Sequence, residues 1–260
     1  MEAKGKGRFP LITAHTGCMD TLDNTLESVR RGIELGADIL EDDIRVTKDG
    51  IAILAHDDAW TTVEGRSIII SESNYTELQN VEVVVDYAGK RGSMTFSTLE
   101  EMLLLVKPSG ATANLDLKVD EAVEAAAELV RRLDMQEQVF LSGCERERAL
   151  LAQRRQPQLR KLLNADTQLF RASPYELAAE MTFRDAQEAS CFGINIYHEF
   201  VTSWFMERAH AHGLPVYVWT VNETRLMEHY ADLGVASITA RNVQDLASLK
   251  QERAKDASLS

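Results

Sequence analysis

The chain has 260 residues, 45% apolar and 27% charged, the composition of a soluble globular protein long enough to bury a large core. Its 28 lysines and arginines stand against 41 aspartates and glutamates, a formal net charge of −13, which argues against a nucleic-acid partner because that affinity comes mainly from cations displacing counterions. No stretch approaches the ~18 consecutive apolar residues of a transmembrane helix, the basic N-terminus lacks the apolar core of a secretory signal, and Cys18, Cys144 and Cys191 match neither a disulfide framework nor a zinc site, so a reduced, cytoplasmic protein is expected.

Short β-branched or apolar runs alternate with longer segments of helical period, and no linker of biased composition divides them, so a single domain over residues 1–260 is expected. The first predicted strand runs from Leu11 to His15. A helix follows, with Asn24 as N-cap, Glu27 reaching back to it and Gly36 just past the end. The second strand, Asp38 to Ile44, leads into a hairpin centred on Asp49 and Gly50. Residues 57–95 break the alternation and are expected to form a small insertion over the strand ends. Thr98 and Glu101 have capping-box spacing, with Pro108 beyond that helix. Strands are then predicted at Thr112 to Leu117, Gln138 to Leu141, Leu159 to Leu163, Phe192 to Ile196, Val216 to Val221 and Ala236 to Thr239. The helices between and after them open at Asp120, Arg146, Pro174, Thr202, Thr224 and Val243. Eight alternations in this length give a TIM (β/α)8 barrel with a small insertion after the second strand. A doubly wound sheet is the alternative.

The stretch ADILEDDIRVTKDGIAILAHDD carries the densest chemistry. With Asp49 and Gly50 as the two central turn residues, Arg45 faces Leu54 and Asp43 faces His56, and Glu41 shares the face of Asp43 by strand period. Solvated surface acids would be the structural reading. Three consecutive acids inside an apolar strand instead favour a bound cation, because ionised acids are rarely buried without a partner. Hard oxygen ligands suit Mg²⁺ or Ca²⁺. In TANLDLKV, Asn114, Asp116 and Lys118 alternate with leucines, so three polar side chains share the inward face near a strand's C-terminal end. There Asp116 would be a ligand and Lys118 a cation for an anionic substrate. His15 and His56 reach the same rim, where two histidines can divide acid and base work. Trp219 lies near a rim as core or substrate platform, Asn222 is expected as the cap of the next helix, and His198 and His229 have no evident partner.

With these residues in place the chain resembles the glycerophosphodiester phosphodiesterases. That family's HRG, ENT, ELDV, TKDG, VIHD, NLDLK and VWTVN correspond here to HTG at His15 to Gly17, DNT at Asp23 to Thr25, EDDI at Glu41 to Ile44, TKDG at Thr47 to Gly50, AHD at Ala55 to Asp57, NLDLK at Asn114 to Lys118 and VWTVN at Val218 to Asn222. The resemblance implies a TIM barrel that uses one divalent cation, Mg²⁺ or Ca²⁺, to cut a small-molecule glycerophosphodiester into glycerol 3-phosphate and an alcohol. It also implies that Glu41, Asp43 and Asp116 hold the metal, that His15 and His56 are the acid and base, and that Lys118, Thr16 and Trp219 contact substrate.

Three departures from the family's pattern stand out, one being that its third acid, often Glu, is here Asp116, one methylene shorter. The family's Arg after the first histidine is Thr16, which removes a guanidinium able to fork onto a phosphate. The closing ITD is ITA, with Ala240 in place of the acid. A lysophospholipase D acting on an acyl-bearing substrate, its groove built partly from the insertion, is the nearest enzymatic alternative. A barrel that binds metal and phosphate without turnover is the non-enzymatic one.

Overall fold

The computed structural model describes residues 9–87 and 90–259. Eight parallel strands, β1 (Leu11–Ala14), β2 (Ile39–Val46), β3 (Thr112–Leu117), β4 (Val139–Ser142), β5 (Leu162–Asn164), β6 (Gly193–Tyr197), β7 (Val216–Trp219) and β8 (Ser237–Ala240), form the wall. Each pairs with its chain neighbour, and β8 pairs with β1 through Leu11 opposite Ser237 to Ala14 opposite Ala240. The β4–β5 seam is held by the Leu141–Lys161 bridge. Helices α1 (Leu26–Glu34), α2 (Leu99–Ser109), α3 (Ala122–Arg132), α4 (Arg146–Arg155), α5 (Tyr175–Glu188), α6 (Ser203–Ala211), α7 (Thr224–Leu233) and α8 (Val243–Leu259) alternate with the strands as a TIM barrel requires. No helix among the described residues is long and apolar enough to cross a membrane.

Strand period sorts the side chains. Leu40, Ile44, Leu115 and Leu117 point out and join the helices in one large apolar cluster. The barrel interior grades from apolar at the N-terminal strand ends to polar at the C-terminal ends. Ile39, Phe140 and Leu162 pack together with Leu11, Phe192 and Tyr217 at the bottom. Above them on β2, β3, β5 and β6 stand Glu41, Asn114, Asn164 and Asn195, and two residues further along β2 and β3 stand Asp43 and Asp116. A dry plug below and polar groups above concentrate the chemistry at one mouth.

The predicted strands all form, with ends displaced by up to three residues. Three local expectations are corrected. The hairpin pairs Ile44 with Leu54, Arg45 with Ile53 and Val46 with Ala52. Its loop is Lys48 to Gly50, closed by Thr47 N–H to Ile51 O at 3.0 Å, and Gly50 takes φ 87° at its last position. The turn thus holds three residues rather than two, and Asp43 faces Ala55, whose N–H donates to its carbonyl at 3.0 Å. The cap of α1 is Thr25, whose hydroxyl accepts from Ser28 N, while Asn24 sits at φ 57° with its side chain turned to the acids of β2. Pro108 lies inside α2, in its last turn. The capping box of Thr98 and Glu101 and the cap at Thr202 form as expected.

Residues between the hairpin and α2 build two antiparallel pairs, Ala59–Thr61 with Ser67–Ile69 and Val83–Tyr87 with Lys90–Met94, and a short helix, Tyr75–Leu78. They pack on their own cluster of Ile53, Ile70, Leu78, Val83 and Phe96, with Trp60 edge-on to Phe96 at 5.6 Å.

Candidate active site

Register brings the acids together. Glu41 lies opposite Asn114 and Asp43 opposite Asp116 on the paired strands β2 and β3. One carboxylate oxygen from each of Glu41, Asp43 and Asp116 falls within 4.8 Å of the others. Gly143, at φ 66°, follows β4 where an added Cβ would overlap the Asp116 carboxylate and the Leu117 backbone. Lys118 Nζ sits between Asp43 Oδ1 at 2.9 Å and Asp116 Oδ1 at 3.0 Å.

This arrangement sets the ionisation of each group. Burial, then the charges of Asp43 and Asp116, push the Glu41 carboxyl well above its ordinary range. Burial likewise raises Asp116 against the pull of Lys118. For Asp43 burial is outweighed by the Lys118 charge and the Asn24 amide, so it is held low. Lys118 is held above its ordinary value because Asp116 and Asp43 outweigh its burial. The neighbouring Asp42 is fully buried on the opposite face, raised by burial, with Oδ1 accepting from Asn24 Nδ2 at 2.7 Å and Oδ2 without a partner among the described residues.

The two histidines flank the triad differently. His15 Nδ1 lies 2.6 Å from the Thr16 carbonyl and 3.8 Å from Glu41 Oε2. Bonding to a carbonyl puts the proton on Nδ1 and leaves the Nε2 lone pair available. Burial, then the Arg241 charge, lower the His15 pKa. His56 is exposed at the end of the hairpin, with Nδ1 2.9 Å from Asp57 Oδ1. The one-residue shift of register removes His56 from the pairing with Asp43, yet it still lines the same cavity.

That cavity, about 1460 Å³, is bordered by His15, Glu41, Asp43, His56, Asp116, Lys118 and Trp219, and by Leu22, Trp60, Val84 and Val85 on the insertion side. Trp219 tilts against Tyr197 at 5.5 Å, and its buried Nε1 has no partner among the described residues. Thr16 is placed behind this surface, 2% exposed, its hydroxyl accepting from Asn24 N at 2.6 Å and its own N–H donating to Glu41.

Sequence reasoning gave Asn24 only a helix-cap role and passed over Arg241. Asn24 Nδ2 donates to both Asp42 and Asp43, at 2.7 and 3.0 Å. Its place in the DNT motif was visible, but not that its amide would turn away from the helix. Arg241, just past β8, pairs with Asp23 across the tip of β1. Asn222 accepts from Arg241 N at 2.8 Å instead of capping α7, and His198 bonds Tyr230 at 3.1 Å.

The donor set fits a hard divalent cation. Three carboxylates converge, and the Asn114 amide oxygen, buried beside Glu41, has no partner among the described residues. Such oxygen-only sets suit Mg²⁺ or Ca²⁺.

The sequence model of the glycerophosphoryl diester phosphodiesterase family matches residues 6–244. A glycerophosphodiester phosphodiesterase of Caldanaerobacter subterraneus subsp. tengcongensis is 23% identical over 245 residues, covering 92% of this chain and 97% of that protein. Among solved structures, a Silicibacter pomeroyi protein assigned to the glycerophosphoryl diester phosphodiesterases superposes with a TM-score of 0.81 at 22% identity, covering 95% of each chain. An Oleispira antarctica phosphodiesterase, solved in complex with the product sn-glycerol-3-phosphate, does so with a TM-score of 0.75 at 21% identity, covering 92% of this chain and 96% of that one. The eight-stranded barrel, the acids paired across β2 and β3 and a match spanning nearly the whole sequence agree: the chain belongs to the glycerophosphoryl diester phosphodiesterase family.

Proposed function

We propose that this single barrel domain, with residues 57–95 forming one side of its mouth, hydrolyses glycerophosphodiesters to glycerol 3-phosphate and an alcohol. The observation that carries this is the convergence of Glu41, Asp43 and Asp116 within 4.8 Å, in a cavity that also holds two histidines and a lysine. Glu41, Asp43 and Asp116 would hold one Mg²⁺ or Ca²⁺. A dication bound there supplies Lewis-acid polarisation of a phosphoryl oxygen and a template for the glycerol hydroxyls.

The chain's own groups divide the proton work. His15, kept neutral by burial and Arg241, takes the proton of the attacking hydroxyl at Nε2 as the new O–P bond forms. The attacker is water, or the neighbouring glycerol hydroxyl to give a cyclic phosphate that water then opens. His56, oriented by Asp57, protonates the leaving alkoxide as the other P–O bond breaks. Lys118 moves from its two carboxylates toward the phosphoryl oxygens to offset their charge, and Trp219 forms the wall against which the glycerol end lies. The three buried, unpaired cysteines accord with a reducing, cytoplasmic setting.

Purified protein incubated with glycerophosphocholine, glycerophosphoethanolamine, glycerophosphoinositol and lysophosphatidylcholine, each with EDTA, Mg²⁺ or Ca²⁺, should release glycerol 3-phosphate or its acylated counterpart only with metal. Turnover equal in EDTA overturns the metal site, and no turnover on any substrate favours a binding barrel. The apolar side formed by Leu22, Trp60, Val84 and Val85 favours acceptance of an acyl chain, which the lysophosphatidylcholine arm tests.

A further inference from the structure

Thr16 leaves the tip of β1 without a cation of its own, and its hydroxyl is used by the Asn24 backbone. A guanidinium nevertheless arrives there from the far end of the chain, at the tip of the neighbouring strand β8. Arg241 Nη1 donates to the Thr16 carbonyl at 2.9 Å, and Nη1 and Nη2 together grip the two oxygens of Asp23, the second pair at 3.0 Å. The residue is pinned through its backbone as well. Its N–H donates to Asn222 in the loop after β7, and its carbonyl accepts from Met19 N at 2.9 Å. Gly17 permits this closure, because a Cβ there would overlap both Asp23 and Arg241.

The group so fixed is one carbonyl away from His15, which bonds the same Thr16 oxygen, and it lines the cavity of the triad and Lys118. Lys118 is shared between two carboxylates, so an anionic phosphoryl group gains most from a second cation held in place before it binds. A guanidinium has five N–H donors in a planar fork and can hold a carboxylate and a phosphoryl oxygen at once.

We propose that Arg241, supplied by the tip of β8 and aimed by Asp23, is a phosphate-binding residue of this cavity, in place of a cation on the strand that carries His15. This rests on the phosphodiesterase reading of the same site. It extends that reading to a specificity role: Arg241 favours phosphate esters, and most of all the more highly charged monoester product.

The test is direct binding of inorganic phosphate by calorimetry, together with steady-state kinetics, for the metal-loaded wild type and three variants. Arg241→Gln keeps polar contact with Thr16 and Asp23 but loses the charge. It should weaken phosphate binding and raise KM by roughly 10- to 100-fold, the range of a charge-assisted hydrogen bond, with a smaller change in kcat. Arg241→Lys, which keeps the charge but not the fork, should recover part of the loss. Asp23→Asn, which removes the counter-charge but keeps one acceptor oxygen to aim the guanidinium, should bind phosphate as tightly as the wild type or more so. A mere staple between strand tips gives the opposite pattern, with Asp23→Asn as damaging as Arg241→Gln. That result, or phosphate affinity unchanged in Arg241→Gln, overturns the proposal. Should Arg241→Gln fail to fold, the Lys and Asn variants decide between the same outcomes. If the wild type turns over no glycerophosphodiester while phosphate affinity still follows the charge at residue 241, the functional reading fails and this one stands.

Discussion

The Lys118 ammonium lies 2.9 Å from Asp43 Oδ1, so a side chain of this protein fills the cationic role among carboxylates that converge as metal ligands do. Asp43 is consequently the one member of the triad whose carboxyl is held low, while burial raises Glu41 and Asp116. An entering dication competes with that ammonium for the same oxygens. Replacing Lys118 by Met should therefore tighten Ca²⁺ or Mg²⁺ binding several-fold by calorimetry, while lowering kcat by about 100-fold through loss of charge at the phosphoryl group. Weaker metal binding in Lys118→Met would mean that the lysine orders the triad more than it opposes the cation.

A dication held by the triad would also compete with protons, with a definite sign. Glu41 and Asp116 bind protons more tightly in the folded than in the unfolded chain, so their contribution to stability is complete below the ordinary carboxylate range and is lost as pH rises through their raised values. Asp43 contributes oppositely, its stabilisation present above its ordinary value and lost as pH falls through the lowered one. A dication needs all three ionised and relieves their repulsion. The rise in Tm on adding metal should thus be small near about pH 5 and grow toward about pH 8, reaching roughly 5–10 °C at a hundredfold excess over Kd. Thermal scans with EDTA or metal across this range check it, and a metal effect that does not grow with pH counts against the triad.

For the histidines, Ala at His15 or His56 should lower kcat by about 10²- to 10⁴-fold, with Tm nearly unchanged for His56. His56 is 62% exposed in its side chain, so its removal costs little packing. Asp57→Asn should reduce kcat less than His56→Ala, since it touches only the orientation of the ring. Near-normal turnover in both histidine variants would remove the acid–base scheme.

Asn24 joins stability to metal binding. Its amide serves Asp42 and Asp43 together, and Asp42 is already short of a partner. Asn24→Ala should cost about 2–4 kcal/mol, combining lost hydrogen bonds to buried acids with a left-handed backbone position. Asn24→Gly relaxes the backbone but still loses the amide. If both variants weaken metal binding equally while Gly is the more stable, the amide's hold on Asp43 is what the cation needs; urea titration and calorimetry measure the two effects.

Strand positions were legible because burial on both faces of a parallel wall leaves apolar runs such as Leu11 to Ala14 and Val139 to Leu141, with polar residues only where the chemistry lies. The helix caps at Thr98 and Thr202 were legible for a local reason, a side chain reaching an amide three residues on. Turn geometry misled at Asp49 and Gly50, since two-residue and three-residue hairpins both place Gly in the left-handed region and differ by one residue in register. Asn24 misled because its role depends on Asp42 and Asp43, which a reading of helix signals along the chain does not bring into view.

By itself, the sequence determined the barrel, the family and the nature of the donors: alternation and spacing are local properties, and NLDLK or EDDI fix which side chains share a strand face. Only the tertiary structure decided how those faces meet. Pairing of β2 with β3 at one register sets Asp43 beside Asp116, the one-residue hairpin shift leaves His56 on Asp57, and closure of β8 onto β1 carries Arg241 to Asp23 across 218 positions of chain. Contacts of that separation depend on strand register and barrel closure together, which no local pattern along the chain specifies.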